Sequence, residues 1–223
     1  NPIIFNNAIH LMIKKIIKTK TKTLSINTEN MVSSQTKISY EMLISAIENA
    51  KYKYSYKKEK EIINLKTCIF SSKSIIDTQK FNEYIKNGKA LSNGISLAKD
   101  LGNIPPNICT PLFLSNEAKK LKKINKQLKI SVIEESKMKS LGMGAFLAVS
   151  KGSKEPGKLV TIEYMPIKRK PPIVLVGKGI TFDTGGISIK PSANMDEMKF
   201  DMSGAGSVIG AIRACAEMKI KTN

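Results

Sequence analysis

The sequence predicts an α/β protein in which two domains are joined by a long helix. Apolar runs of strand length alternate with stretches of helical spacing, and this alternation indicates a mostly parallel sheet covered by helices. The 223 residues, of which 41% are apolar, are enough for one or two globular cores. We expect domains at residues 1–78 and 105–223, with the linking helix at 79–104.

The first domain shows helix and strand patterns but no motif that carries chemistry. Residues 3–18 place apolar groups at helical spacing with lysines on the other face, which predicts an amphipathic helix packed on a core. Short strands are predicted at 24–26 and 62–70, with a helix over 39–54 between them. Together these elements form a small α/β unit.

The second domain continues the alternation of strands and helices. Thr110, followed by proline, is typical of a helix N-cap. A strand is predicted at 130–133 and a short helix at 136–141. Residues 142–153 and 158–165 then predict further strands, the second because polar and apolar residues alternate along it.

Most groups capable of chemistry lie in residues 171–206. The apolar run 173–176 predicts a buried strand of a parallel sheet, and Lys178 follows it between two glycines. Ligands in open α/β sheets gather at the carboxyl ends of strands, so Lys178 is placed where such folds bind ligands. Asp183 comes five residues later, and the turn 184–186 keeps its carboxylate near the strand end.

The same stretch then adds Lys190, Met198 and Asp201. The pattern becomes helical from about Asn194, and a spacing of three residues places Met198 and Asp201 on one side of that helix. The small residues 203–206 allow the helix to pack closely. Burying lysines and carboxylates together at a strand end costs free energy unless the charges are paired or joined by a metal. This cost indicates a functional site.

Two other interpretations of these residues stay open on the pattern alone. The glycines can be plain turns, with the charged residues as surface ion pairs or caps, and this is as good an account of the spacing as a functional site. A phosphate-binding loop is a weaker account. The Walker pattern requires Ser or Thr directly after Gly-Lys, whereas Gly179 follows Lys178.

The segment VGKGITFDTGGISIKPSANMDEMKFDMSGAG, residues 176–206, closely resembles the signature of the leucyl aminopeptidase (cytosol aminopeptidase) family of two-metal exopeptidases. Residues 94–111 and 141–156 also resemble segments of that family, in the same order. The resemblance covers the chain from about residue 80 to its end. It implies that 1–78 is the later part of an N-terminal domain and that 105–223 is the first part of a peptidase domain.

The resemblance implies a role for each polar residue of the stretch. Lys178, Asp183 and Asp201 would be metal ligands, with Asp183 bridging two divalent ions of Mn, Zn or Mg. Lys190 would polarise the scissile carbonyl of a peptide, and Met198 would line the pocket for its first side chain. Lys190 and Asp201 would also contact the substrate. A lysine ligates only when it is deprotonated, so Lys178 would be neutral while Lys190 stays charged.

One family segment is missing from these residues. Its sequence is of the type Asn-Thr-Asp-Ala-Glu-Gly-Arg, and it supplies two more carboxylate ligands and an arginine further downstream. We therefore expect this polypeptide alone to be inactive or nearly so. The leading hypothesis is metal-dependent removal of leucine-like N-terminal residues by the complete protein, which the resemblance implies to be a homohexamer.

The net charge of +19 is the basis for a different function class. Such a charge gives salt-dependent affinity for polyanions, so a nonspecific nucleic-acid-binding protein is one alternative, and an inactive remnant is another. The basic residues are nearly all lysine, with Arg169 and Arg213 as the two arginines. Guanidinium groups dominate specific nucleic-acid contacts, which makes this alternative the weaker one.

The cysteine and histidine content narrows the chemistry further. Cys68, Cys109 and Cys215 are odd in number and form no C-x-x-C pair, which indicates reduced thiols and a cytoplasmic protein. His10 is the single histidine, so Ser-His-Asp catalysis is excluded and Cys109 is a poor candidate nucleophile. No signal peptide or membrane span is expected, and both ends read as truncations.

Overall fold

The computed structural model describes residues 1–29, 31–32, 38–55, 63–73 and 77–223. It confirms the predicted α/β class. The chain divides into two compact units, Asn1–Ser96 and Leu97–Asn223, and the boundary between the two ranges falls within one long helix. The assignment of 1–78 and 105–223 as domains stays a prediction.

The first unit contains helices α1 to α3 and a pair of strands. Their bounds are α1 Pro2–Ile16, β1 Thr23–Asn27, α2 Tyr40–Lys51 and β2 Thr67–Ser71, followed by α3 Thr78–Asn103, which continues into the second unit. β1 and β2 are parallel, and Thr23 lies opposite Thr67. The predicted strand 62–70 begins outside the described residues, and β2 forms its later part.

Local capping and burial explain why these helices form. Asn1 caps α1 by accepting a hydrogen bond from the Ile3 N–H, and Ser39 caps α2 by accepting one from the Met42 N–H. The apolar faces of the two helices then meet in one core. Its buried members are Ile9, Ile13, Ile26, Leu43, Ala46, Ile47, Ala50 and Leu65.

The second unit follows α3 with eight further elements, two of them 3₁₀ helices. They are α4 Pro111–Lys120 with a 3₁₀ turn at Leu121–Lys123, β3 Leu128–Glu134, α5 Glu135–Ser140, α6 Gly144–Ser150, β4 Lys158–Tyr164, a 3₁₀ helix at Met195–Phe200, and α7 Ser203–Met218. The predicted cap of α4 is confirmed, because the Thr110 hydroxyl accepts a hydrogen bond from the Phe113 N–H. The largest fully buried side chains here are Leu101, Leu128, Met138 and Met202.

Three sequence expectations for this unit differ from the structure. Residues 173–176 form no strand in the described part of the chain, and their side chains are 49–91% exposed. Among the described residues, their one backbone hydrogen bond to another segment runs from the Ile173 N–H to the Asn223 carbonyl. The run therefore lacks the neighbouring strands that a buried strand requires.

The other two differences concern the sheet of this unit. The two strands assigned here, β3 and β4, pair antiparallel, with Leu128 opposite Tyr164, whereas the parallel pair lies in the first unit. Residues 144–150, predicted as part of a strand, form helix α6. A short apolar run fits either structure, and the alanines and leucine of this one favour a helix.

Two further findings concern the cysteines and the membrane. Cys68, Cys109 and Cys215 are all free thiols. In the parts of the chain that the structure describes, no helix combines the length and the apolar character needed to cross a bilayer.

The Glu135 carboxylate joins three segments of the second unit. Its Oε1 atom accepts a 2.6 Å hydrogen bond from the Ser150 hydroxyl and a 2.7 Å hydrogen bond from the Gly157 N–H. The Ser150 hydroxyl is the main cause that lowers the pKa of Glu135, and the Gly157 N–H adds to it. The ionised carboxylate thus holds the end of α6 and the start of β4 near the start of α5.

We expect Glu135→Gln to lower the melting temperature at neutral pH by a few degrees, because the charged acceptor is lost. The folded-state pKa lies below the unfolded value of about 4.3, so this stabilisation is present above that pH and disappears as the pH falls through the folded pKa. Thermal melts of both proteins between pH 7 and pH 3 should therefore converge at the acidic end. Glu155→Gln, at an exposed loop position, is the control. A constant difference across the range would contradict the prediction.

Candidate functional site

Lys178 and Asp201 form the closest ion pair among the predicted site residues. The Lys178 Nζ atom lies 2.7 Å from both carboxylate oxygens of Asp201. The side chain of Asp201 is 17% exposed, whereas that of Lys178 is half exposed. Pairing with Asp201 is the main cause that raises the pKa of Lys178 above its ordinary value. With these groups alone, Lys178 is therefore an ammonium ion.

Asp183 lies between two lysines. Its Oδ2 atom is 3.4 Å from the Lys190 Nζ and 3.6 Å from the Lys178 Nζ. Its Oδ1 atom accepts a 2.9 Å hydrogen bond from the Gly185 N–H. That backbone donor is the largest cause that lowers the pKa of Asp183, and the two ammonium groups add to it against partial burial. Asp183 is thus ionised and able to bind a cation.

A tight loop brings Lys190 back beside Asp183. The Lys190 N–H donates a 2.9 Å hydrogen bond to the Thr184 carbonyl, which closes the loop. Gly185 and Gly186 have φ values of 92° and 80°, a region that favours glycine. A Cβ atom at Gly185 would also collide with the Ser188 carbonyl oxygen. The predicted turn at 184–186 is therefore confirmed. Gly185 has no room for a side chain, and the positive φ of Gly186 favours glycine there.

The 3₁₀ helix at Met195–Phe200 places Met198 and Asp201 together. The Asp201 N–H donates a 3.2 Å hydrogen bond to the Met198 carbonyl, so the two residues lie one 3₁₀ turn apart. The Lys190 Nζ atom lies 3.0 Å from the Met198 sulfur. The helix predicted from Asn194 thus begins as a 3₁₀ helix, and the α-helix α7 starts at Ser203.

The cluster has an acceptor that a cation would satisfy. Asp201 Oδ2 is buried and has no well-directed hydrogen bond within the described residues, although the Lys178 Nζ lies 2.7 Å away. A buried carboxylate oxygen without full hydrogen bonding is costly. Carboxylate oxygens and a neutral amine are ligands that Mn²⁺, Zn²⁺ or Mg²⁺ can accept, so these residues fit a divalent ion.

The donor set is nevertheless small. Across the described residues, no group of three or more His, Cys, Asp or Glu side chains converges on one point. The site therefore rests on two carboxylates, Asp183 and Asp201, with Lys178 as a third ligand once it is neutral. All five residues singled out in the sequence lie in one cluster, joined by the contacts described above, and their roles toward a metal or a substrate are proposals taken up below.

Cys109 is not a nucleophile in this structure. It is 1% exposed, and its thiol donates a 3.6 Å hydrogen bond to the Leu101 carbonyl. Burial raises its pKa to about 11, so the reactive thiolate is disfavoured at neutral pH. The cysteine is a packing residue of the second unit.

One contact near the site was missed in the sequence. The Ala205 N–H donates a 2.8 Å hydrogen bond to the carbonyl of Lys178, and Gly177 and Gly204 touch through their backbones. The small residues 203–206 predicted close packing of this helix, but nothing in the sequence named its partner. The only available signal was a glycine on each side of Lys178.

Comparisons with known proteins identify the family to which this chain is similar. Residues 96–223 match the model of the cytosol aminopeptidase family, catalytic domain. A probable cytosol aminopeptidase of Nitrosococcus oceani is 46% identical over 188 residues, which cover 82% of this chain and 37% of that protein. The chain thus spans little more than a third of the length of the curated relatives it matches.

Two solved structures share the fold over 98% of this chain. Tomato leucine aminopeptidase, solved as a point mutant, has a TM-score of 0.81 at 23% identity, and 42% of that protein is covered. The bottromycin maturation enzyme BotP, solved in complex with Mn, has a TM-score of 0.75 at 25% identity, and 45% of it is covered. Because more than half of the chain matches the family model, it belongs to the cytosol aminopeptidase family.

Proposed function

We propose that the complete protein is a metal-dependent aminopeptidase that removes leucine-like residues from the N-terminus of peptides. The observation that carries this proposal is the convergence of Lys178, Asp183 and Asp201, with Lys190 beside them, in a chain of this family. The name of the Nitrosococcus oceani relative supports the reaction. The complex of BotP with Mn supports the use of a divalent metal.

Three side chains would hold the metal. Asp183 would be a ligand shared by two divalent ions, as the family resemblance implies, and its Oδ2 atom lies near both lysines. Asp201 would contribute its buried Oδ2 atom. Lys178 would ligate as a neutral amine after losing its proton. When bound, such ions supply Lewis acidity and lower the pKa of water at the site.

Lys190 and Met198 would act on the substrate. Lys190 is held beside Asp183 by the loop, where its ammonium group would donate to the carbonyl oxygen of the scissile peptide bond. Its charge offsets the negative charge that develops on that oxygen. Met198, in contact with the Lys190 Nζ, would offer an apolar wall to the first side chain of the peptide.

Assembly and location are further parts of the proposal. The family resemblance implies a homohexamer acting on peptides. A cytoplasmic location is supported by the names of the relatives and by the three free cysteines. The comparisons do not support the nucleic-acid-binding alternative, which rests on net charge alone, and the family match accounts for the strongest motif of the chain.

We expect Asp183→Asn to weaken the binding of Mn²⁺ to the 223-residue chain by more than about 100-fold. Even groups outside the metal ligands typically contribute 10- to 100-fold to metal affinity, and this change removes the charge of a ligand. Titration calorimetry of Mn²⁺ into both proteins measures the difference. Asp196→Asn, an exposed aspartate of the adjacent 3₁₀ helix, should bind like the wild type. Equal affinity of all three proteins would contradict the assignment.

In the complete protein, we expect Lys190→Met to reduce kcat by about 100- to 1,000-fold, the usual effect of removing one donor to a developing oxyanion. Metal content should not change, because Lys190 is not proposed as a ligand. Steady-state hydrolysis of a leucyl peptide and metal analysis of the purified variant test both statements. Lys154→Met, at an exposed loop position, controls for the loss of one lysine. A variant with unaltered kcat would refute the role.

The 223-residue chain alone should show no aminopeptidase activity above background, because its described residues supply two carboxylate ligands in place of the four that the resemblance implies. Release of leucine from a leucyl peptide, measured with added Mn²⁺ or Zn²⁺, tests this. The complete protein under the same conditions is the positive control. Robust turnover by the shorter chain would show that these residues suffice.

A further inference from the structure

The backbone on either side of Lys178 touches the start of helix α7 without any intervening side chain. A Cβ atom at Gly177 would lie 2.5 Å from the Gly204 carbonyl oxygen and 2.7 Å from the Ala205 backbone nitrogen. From the other side, a Cβ atom at Gly204 would lie 2.8 Å from the Lys178 nitrogen. Atoms do not approach this closely, so both positions require glycine for space.

The requirement is one of space and not of backbone conformation. Gly177 and Gly204 are not among the residues with positive φ, unlike Gly185 and Gly186. A substitution at Gly177 or Gly204 would therefore act by pushing the two segments apart. At Gly179 the demand is milder, since a Cβ atom there would lie 3.3 Å from the Ala205 Cβ.

A hydrogen bond fixes the register of this contact. The Ala205 N–H donates to the Lys178 carbonyl at 2.8 Å, so the backbone of Lys178 is tied to the first turn of α7. Asp201 lies just before that turn. Lys178 and Asp201 are therefore linked by the Ala205 hydrogen bond and the short backbone segment between Asp201 and Ala205.

We propose that Gly177 and Gly204 are positioning residues whose contact sets the Lys178 side chain against Asp201. The side chain of Lys178 is half exposed and has four rotatable bonds, so its own packing does not fix the Nζ atom. The tied backbone keeps Lys178 within reach of Asp201, and the ion pair then holds the Nζ atom 2.7 Å from both Asp201 oxygens. The consequence for metal binding rests on the proposed function, whereas the consequence for the ion pair does not.

The test uses a graded set of glycine-to-alanine variants of the 223-residue chain. Gly177→Ala and Gly204→Ala create the severe overlaps, and Gly179→Ala creates the mild one. Gly144→Ala is the control, because a Cβ atom there meets nothing within 4 Å. For each variant we would measure the Lys178 Nζ to Asp201 distance in a crystal structure, the affinity for Mn²⁺ by calorimetry, and the melting temperature.

We expect Gly177→Ala and Gly204→Ala to move the Lys178 Nζ out of hydrogen-bond distance of Asp201 and to weaken Mn²⁺ binding by about 10-fold or more. Gly144→Ala should change neither quantity. Gly179→Ala should have a smaller effect. In the double variant Gly179→Ala/Ala205→Gly the Ala205 Cβ atom that the new Cβ atom at position 179 would meet is gone. This double variant should therefore have the same distance and affinity as the single variant Ala205→Gly. A purely structural role would lower the melting temperature without this rescue of distance and affinity.

The proposal is overturned if folded Gly177→Ala and Gly204→Ala keep the Lys178–Asp201 distance of the wild type. Should both variants fail to fold, Gly179→Ala is compared with the double variant Gly179→Ala/Ala205→Gly. A Lys178–Asp201 distance restored in the double variant supports the proposal, and a distance that is not restored rejects it. If the wild type binds no Mn²⁺, the proposed metal function fails. The crystallographic distances then still decide whether the glycines position Lys178.

Discussion

The site depends on one backbone contact, in which residues 177–179 lie directly against the first turn of α7. Lys178 and Asp201 are 23 residues apart, and their charged groups meet because this contact leaves no room for a side chain between the two segments. The loop closed by Thr184 and Lys190 adds the second lysine from the other side. Glycine contacts and backbone hydrogen bonds thus position the segments that carry the charged side chains. Such contacts hold their geometry better than long side chains do.

The apolar run 173–176 lacks the burial that a strand inside a parallel sheet would have. Its side chains remain 49–91% exposed, although burial of one such side chain is typically worth about 1.5–3 kcal/mol. Within the described residues, the run gains little of that free energy and is anchored at its start through Ile173 and Asn223. Only Gly177 separates this run from Lys178, so the site is held by α7 on one side while the apolar run on the other side is exposed.

The sequence predicted local features well and long-range partners poorly. The cap at Thr110, the helices α1, α2 and α5, and the strands β3 and β4 follow from short-range patterns, and all are present. The strand at 173–176 was wrong, because a buried strand is defined by neighbours that no local pattern contains. Helix α6 was missed since a short apolar run fits helix and strand equally. The site residues were located from the pattern of residues 171–206 and their roles came from the family resemblance, whereas the partner of Gly204 could not be predicted from spacing.

Charge balance indicates that these residues alone would hold one divalent ion more readily than two. In the structure, two ammonium groups balance two carboxylates, with Asp183 between both lysines. One divalent ion together with a neutral Lys178 would leave Asp183 and Asp201 balanced, with only the charge of Lys190 remaining. A second divalent ion would add two positive charges with no further anion to offset them, in a site where Asp201 is largely buried. Since uncompensated charge in such a place is costly, a two-metal centre requires carboxylates beyond these two.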